Sequence, residues 1–429
     1  MRKGVWTLLI LILAAGNATA GSIELVSKAD PSPDTFGASF FSSASADGRY
    51  VVFESDAPNL VPGQVDTNFF YDVFLRDRVA GTTTLISHSS GNPNEASPAE
   101  GSLLSLDAGI SADGRYIAFI SVGTDLVPGV TDANHASDVF LHDRVTGATT
   151  LISHAAGNPA TTANARIDGC RISADGNYVA FASSATNLVA GQTVPPPGDE
   201  VSNVFLYQRS SGALTLIGHG NGPSVSPEIS ADGGFVIFLS SATDLVPGQT
   251  DTNGGQDVFL YERASGAVSL VSRASGSSVR TGNHFSGDAH LSADGRWIAF
   301  TSESNNLVAG QVDAFTPDAF LFDRVTGEMR LASHTAASPQ TAAGLFPSFG
   351  GNIAMSADGR YVAFISQAAN LVAGQVNLGT GPNVFVYDRI ADQASLVSHA
   401  PGSPATSPAG SDSRHPSLSA DGRYVAFES

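Results

Sequence analysis

Apolar residues along this chain come in short runs broken by glycine, asparagine, aspartate and proline, and two kinds of run alternate. One is aromatic-aliphatic, as in Tyr50-Val51-Val52-Phe53. The other follows an acid or amide, as in Asp72-Val73-Phe74-Leu75. Both are apolar at consecutive positions, the pattern of strands covered on both faces rather than one. Each aromatic run is introduced by the same phrase, Ser-Ala-Asp-Gly. Its seven copies start at Ser45, Ser111, Ser173, Ser230, Ser292, Ser356 and Ser419. The runs that follow end in Phe53, Phe119, Phe181, Phe238, Phe300, Phe364 and Phe427, and successive phrases lie 57 to 66 residues apart. Repetition at that period decides the architecture before any single residue does.

Each repeat holds four strand-like runs. In the second, strand A ends at Gly109-Ile110-Ser111, and an Asp113-Gly114 turn leads to strand B, Arg115 to Ser121. A loop through Asp125-Leu126-Val127-Pro128-Gly129 reaches strand C, Asp138 to Arg144, and a Thr146-Gly147 turn gives strand D, Thr149 to His154. A four-stranded antiparallel sheet, buried on both sides and repeated in tandem, is a propeller blade. The fold class expected is all-β, a seven-bladed β-propeller in one domain over 21–429. Six blades are complete. The seventh has strands A and B before Ser429, and Ile23–Ser27, which has strand D character, is expected to complete it and close the ring. On this reading the chain is C-terminally truncated.

The turn between strands C and D predicts a register. A three-residue hairpin loop such as Val79-Ala80-Gly81 needs a left-handed residue at its end, and Gly81, Gly147, Gly212, Gly266 and Gly327 stand there, with Asp392 in the sixth copy. That loop sets Asp72 opposite His88, and likewise Asp138/His154, Asn203/His219, Asp257/Arg273, Asp318/His334 and Asn383/His399. A ring of histidines suggests metal binding, but a carboxylate or amide at cross-strand distance from each assigns them to structural pairs.

Composition narrows the setting. The net charge of −19 repels phosphate backbones, so nucleic acid is not an expected partner. Cys170 is the only cysteine, which rules out an intramolecular disulfide, and its place at the start of a strand marks a buried thiol rather than a nucleophile. Met1-Arg2-Lys3, the apolar run Val5 to Ala15 and Ala18-Thr19-Ala20 read together as a signal peptide over 1–20, cut after Ala20. No other stretch is long and apolar enough to span a membrane. A secreted or periplasmic monomer is expected.

Blade geometry places the tight A–B and C–D turns on one face and the longer B–C and D–A loops on the other, so the long-loop face is the candidate for binding. The B–C loop is nearly constant in length, and the D–A loops vary. Three B–C loops carry Asp-x-Asn-x-x-x-Asp: Asp66, Asn68 and Asp72; Asp132, Asn134 and Asp138; Asp251, Asn253 and Asp257. Oxygen ligands at alternate positions followed by a later carboxylate suit Ca²⁺, although a bidentate Glu is missing and the same side chains serve to cap their own turns. A second candidate set stands where strand A begins, at the mouth of the central channel: Asp107, Asp168, Glu228, Asp288, Asn352 and His415. These suit a small ligand or cation, and equally a hydrated rim.

No Gly-x-Ser-x-Gly elbow, His-Glu-x-x-His or phosphate loop occurs. The phrase Ser-Ala-Asp-Gly-Arg-Tyr-Val-Ala-Phe, at Ser356 and Ser419, resembles the TolB-like, or WD40-like PD40, β-propeller repeat, with Ala46 and its equivalents where that family usually has Pro. The resemblance covers nearly all of the chain after the leader and implies an envelope or secreted interaction scaffold. Blades of this kind also occur in prolyl-oligopeptidase-type peptidases, whose hydrolase domain is absent here, and in some pectate-type lyases, whose clustered channel histidines are absent too. The expectation is a non-catalytic propeller binding a protein or glycan partner. The alternative is a metal-assisted polysaccharide lyase or hydrolase working at the channel mouth.

Overall fold

Ser45 shows how the repeated phrase folds. Its buried hydroxyl donates to the Asp47 carboxylate at 2.6 Å and accepts the Tyr50 N–H at 3.0 Å, while Gly48 N–H donates to the Ser45 carbonyl at 2.8 Å. Gly48 has φ 66°, which closes the turn and starts the next strand. Arg49 then forms a two-pronged ion pair with Asp77 at the end of strand C. The same bonds recur at Ser111, Ser292 and Ser356. One phrase therefore fixes a turn and ties it across to strand C.

The computed structural model describes residues 37–68, 70–98, 107–132, 134–192, 201–313, 316–343, 353–408 and 412–429. The leader and the strand expected at Ile23–Ser27 lie outside them. Among the described residues every regular element is a strand. Six antiparallel sheets each follow the order A-B-C-D in sequence. The first comprises Ser39–Ala44, Tyr50–Ser55, Asp72–Asp77 and Thr82–Leu85; the second, Gly109–Ile110, Tyr116–Ser121, Asp138–Asp143 and Ala148–Leu151. After the sixth sheet, Arg414–Leu418 pairs with Val425–Glu428, the A and B strands of a further repeat.

Strands B and C form the centre of each sheet. Phe53 lies opposite Phe74 with ring centroids 5.7 Å apart, and the equivalent pairs in the other five sheets are stacked at 5.5 to 5.9 Å. Neighbouring sheets cover these faces, so the double-sided apolar runs are explained by packing on both sides.

The chain divides into two compact units. The first three sheets with residues 225–233 make one, and residues 218–224 with 234 onward make the other. Within each, the turn phrase also joins neighbouring sheets. Ala46 N–H donates to the Ala112 carbonyl and Ala112 N–H to the Ala174 carbonyl; in the second unit Ala293 reaches Ala357, and Ala357 reaches Ala420. The turn glycine rests on the aromatic residue that opens strand B of the preceding sheet. A Cβ on Gly176 would stand 2.5 Å from the Tyr116 ring, and one on Gly359 2.5 Å from Trp297. The first residue after strand C completes the lock: Arg209 lies 4.0 Å from the Tyr116 ring centroid and donates to the Gly176 carbonyl, and Arg389 does the same with Trp297 and Gly359.

The described loop segments are held by hydrogen bonds of their own. Gln64 accepts the N–H groups of Leu60 and Val61 and donates to the Ala57 carbonyl, which accounts for the constant length of the B–C loop. The D–A loops fold onto it. In the first, second and fifth repeats they carry two-stranded hairpins, such as His88–Ser89 with Asn92–Ala96, and Val65 bridges to Glu95.

Replacing Gly176 by Ala forces both a positive φ and an overlap with Tyr116, and is expected to destabilise the protein by about 3 kcal/mol. Gly212→Ala, at a C–D turn with φ 69° and open space around it, is expected to cost only about 1 kcal/mol. Denaturant midpoints of the two variants check the difference.

Candidate functional site

The C–D register differs from the expected one by a single residue. Phe74 pairs with Leu85 and Asp77 with Thr82, so the loop has four residues, Arg78 to Gly81, rather than three. Asp77 sets that length: its side chain accepts the N–H groups of Val79 and Ala80, and its carbonyl accepts Gly81 N–H. The left-handed end is as expected, with Gly81 at φ 70° and Asp392 at φ 53°. The shift corrects the expected Asp–His pairs. Asp72 meets Ser87, whose hydroxyl donates to it at 2.6 Å and accepts Val73 N–H. Asp138/Ser153, Asp257/Ser272, Asp318/Ser333 and Asn383/Ser398 repeat the arrangement. The repeated Ser-His at the end of strand D held this information, but reading it needed the four-residue loop.

The displaced histidines turn to their own backbone and to the next sheet. Nδ1 of His88, His154, His334 and His399 each lies 2.8 to 3.1 Å from the following carbonyl oxygen. His88 packs edge-on against His142, His334 against Tyr387, and Arg273 lies over Phe322. Asn203, whose repeat has Gly218 at the serine position, instead donates to the Val201 carbonyl at 3.0 Å.

The B–C acids cap their turns, as the sequence allowed. Asp66 accepts Asn68 N–H and Asn68 accepts Phe70 N–H; Asp132 with Asn134, and Asp251 with Asn253, do the same. The D–A loop adds Thr162 to Asp132 and Thr281 to Asp251, and Asn68 and Asn253 donate back to it. The strand C acids lie deeper. Burial pushes Asp72 and Asp138 up to about 7 and Asp257 up to about 8, the serine hydrogen bond opposes this, and the neighbouring Asp66, Asp132 or Asp251 adds to it. Among the described residues no three His, Cys, Asp or Glu side chains gather as a metal cluster.

At the start of strand A the described candidates find partners within the chain. Asp107 pairs with Arg171 at 3.1 Å and accepts Cys170 N–H. Burial works against the Arg171 charge, and the charges of Asp107 and Glu228 more than offset it. Asp168 stands apart, held by Arg166 and by the Ser202 hydroxyl. In the second unit Asp288 lies 3.8 Å from His290, and His415 3.2 Å from Glu428. Asn352 falls outside the described residues. Burial raises the Cys170 thiol well above its ordinary range, in keeping with a structural role.

A backbone bend in this region was not legible in the sequence. Asp107, Ser226, Asp288 and His415 all have φ between 46° and 52°, and each stands four residues before the serine of its phrase. In the strands of Asp288 and His415 the pairing with strand B shifts at that point, between Gly287 and His290 and between Arg414 and Ser417. A bulge with a left-handed residue re-aims the side chain there, and a polar residue occupies it in all four. Sequence spacing found the position without the bend.

No protein-family model and no curated protein matches the chain. Among solved structures it is similar to oligogalacturonate lyase from Vibrio parahaemolyticus, at 13% identity over 90% of this chain and 84% of that one, with a TM-score of 0.50. The fold is that of a β-propeller. An oligogalacturonate lyase in complex with manganese aligns at 12% identity over 90% and 84% of the chains with a TM-score of 0.49. TolB from Acinetobacter baumannii aligns at 15% identity over 76% and 58% with a TM-score of 0.37. At these identities the likeness concerns the propeller scaffold alone.

The buried imidazole generates a pH prediction. Burial, with the neighbouring His88 charge, lowers His142 from 6.5 to about 4. Between those values the unfolded chain binds a proton that the folded one does not, so the contribution of His142 to stability falls by up to about 3 kcal/mol as pH drops through this window. It is opposite in sign to the contributions of the buried Asp72, Asp138 and Asp257, and it is read as the difference between parent and variant. His142→Tyr, the residue type found at Tyr207 and Tyr261, is expected to remove that slope. Unfolding midpoints between pH 7 and 4 check it.

Proposed function

We propose that this protein is an exported, non-catalytic β-propeller that binds a protein or glycan partner through its B–C and D–A loops. The observation that carries the reading is that these ordered loops hold large apolar side chains in solvent. Phe285, just before strand A of the fifth repeat, is 48% exposed and rests over Gly255 of a B–C loop; Leu378, on another B–C loop, is 58% exposed. Phe40, at the start of the first repeat, is 44% exposed and packs edge-on against Tyr71. Rings fixed by hydrogen-bonded loops lose little freedom on binding, and aromatic side chains supply contact area to both proteins and sugars. The opposite face also exposes aliphatics, Val79, Val145, Val325 and Ile390, but they stand singly at turn tips, as scattered surface residues do.

A lyase working at the channel mouth is the competing reading, and the propeller of oligogalacturonate lyase is what favours it. Against it stand the intrachain partners of Asp107 and Asp168, which engage the carboxylates that a metal or a substrate would need.

Affinity electrophoresis against a panel of uronate-containing and neutral polysaccharides, and surface capture of purified envelope proteins, separate the two. The expected result is retention on at least one partner, weakened about tenfold or more by Phe285→Ala with Leu378→Ala, and no new unsaturated uronate. Unsaturated products from any polymer, lost in Asp288→Ala, would contradict the scaffold reading.

A further inference from the structure

The acids of the B–C loop and strand C occur together or not at all. Counting three residues on from the loop glycine, the six repeats read Asp66, Asp132, Val194, Asp251, Asp313 and Asn377. The residues that open strand C read Asp72, Asp138, Asn203, Asp257, Asp318 and Asn383. Four repeats have two carboxylates, and the other two have none. Turn capping and strand pairing do not require this. Asn383 accepts the Ser398 hydroxyl just as Asp72 accepts that of Ser87, so an amide serves the structural bond.

What distinguishes Asp from Asn here is the second side-chain atom. In the neutral repeats it is an N–H₂ group that donates to the carbonyl two residues earlier: Asn203 to Val201, and Asn383 to Gly381. In the first repeat an oxygen, Asp72 Oδ2, takes that place, and the carbonyl two residues earlier, that of Phe70, has no hydrogen to give it. Asp72 is 4% exposed, and its Oδ2 is buried with no hydrogen-bond partner. A buried carboxylate oxygen without a donor, beside a second carboxylate, is a costly arrangement unless something positive lies between them.

We propose that the paired acids bind a divalent cation of the calcium type, in the first repeat and, by the same residue pattern, in the second and fourth. Asp66, Asn68 and Asp72, with their counterparts Asp132, Asn134 and Asp138 and Asp251, Asn253 and Asp257, supply hard oxygen ligands. Two formal negative charges match one doubly charged ion, and carbonyl oxygens of the loop complete the shell. A cation there would join the B–C loop to strand C and, through Thr162 or Thr281, to the D–A loop. The proposal does not depend on what the long-loop face binds.

The test is calcium alone, added to chelator-treated protein at constant ionic strength, read by isothermal titration and thermal unfolding. About three ions are expected to bind per chain, and the melting temperature to rise by several degrees. The double variant Asp66→Asn with Asp72→Asn adopts the pair that the sixth repeat carries as Asn377 and Asn383. It is expected to fold, to bind one ion fewer, and to melt in chelator no lower than the parent. No calcium binding by the parent protein would overturn the proposal, whatever the double variant does in chelator. Calcium binding unchanged in the double variant would overturn it as well.

Discussion

The contact on which the rest of the structure depends is a glycine laid against the neighbouring sheet's aromatic ring. Gly114 rests on Tyr50, Gly176 on Tyr116 and Gly233 on Tyr178 in one unit; Gly295 on Phe235, Gly359 on Trp297 and Gly422 on Tyr361 in the other. No other residue suits the position, because the turn needs a positive φ and the ring leaves no room for a Cβ. The contact also collects other interactions. The alanine before the aspartate donates to the next turn, and an arginine lies over the rings of Tyr50, Tyr116, Phe235 and Trp297 while bonding the carbonyl of the glycine that rests on each. The four residues of the phrase thus act in different ways. Serine orders the turn, alanine bridges sheets, aspartate caps, and glycine admits the ring.

A repeat locked at one end leaves the other end free to carry function. On the short-turn side, the serine and aspartate groups are used within the turn and the alanine backbone in joining sheets. On the long-loop side, Gln64 and its equivalents stiffen the B–C loops, and the D–A loops bond to their own repeat and to the next; Ser90 reaches Asp125, and Ala336 reaches Asn370. Phe285 and Leu378 stand exposed on that framework. The paired acids stand where the B–C loop enters strand C, so a cation there would stiffen the framework from below. Scaffold and loops are therefore coupled through hydrogen bonds.

Much of this was legible because the repeat is its own control. Seven copies of one phrase pointed to the all-β fold, strand order and strand B and C cores, since consecutive apolar positions between turn residues leave few alternatives. The C–D register was not legible, because it turns on whether Asp77 closes a three- or four-residue loop, and both put Gly81 at the left-handed end. A one-residue slip was enough to exchange His88 for Ser87 as the partner of Asp72. The candidates at strand A were found by position, yet their partners lie far off in sequence: Asp107 meets Arg171, which a local reading does not reach. The left-handed backbone at Asp107, Asp288 and His415 was not read from the sequence either.

The central claim is that these surface turns are structural joints between sheets. Native-state hydrogen exchange tests it most directly. The Ala112 amide stands in a partly exposed turn and bonds the Ala174 carbonyl of the next sheet, whereas the Val145 amide stands in an exposed turn and bonds only its own loop's Asp143. If the turns join sheets, Ala112 exchanges only when the unit unfolds, with protection close to that of the Phe119 amide in strand B, and Val145 exchanges quickly. Ala112 exchanging as fast as Val145 would contradict the account.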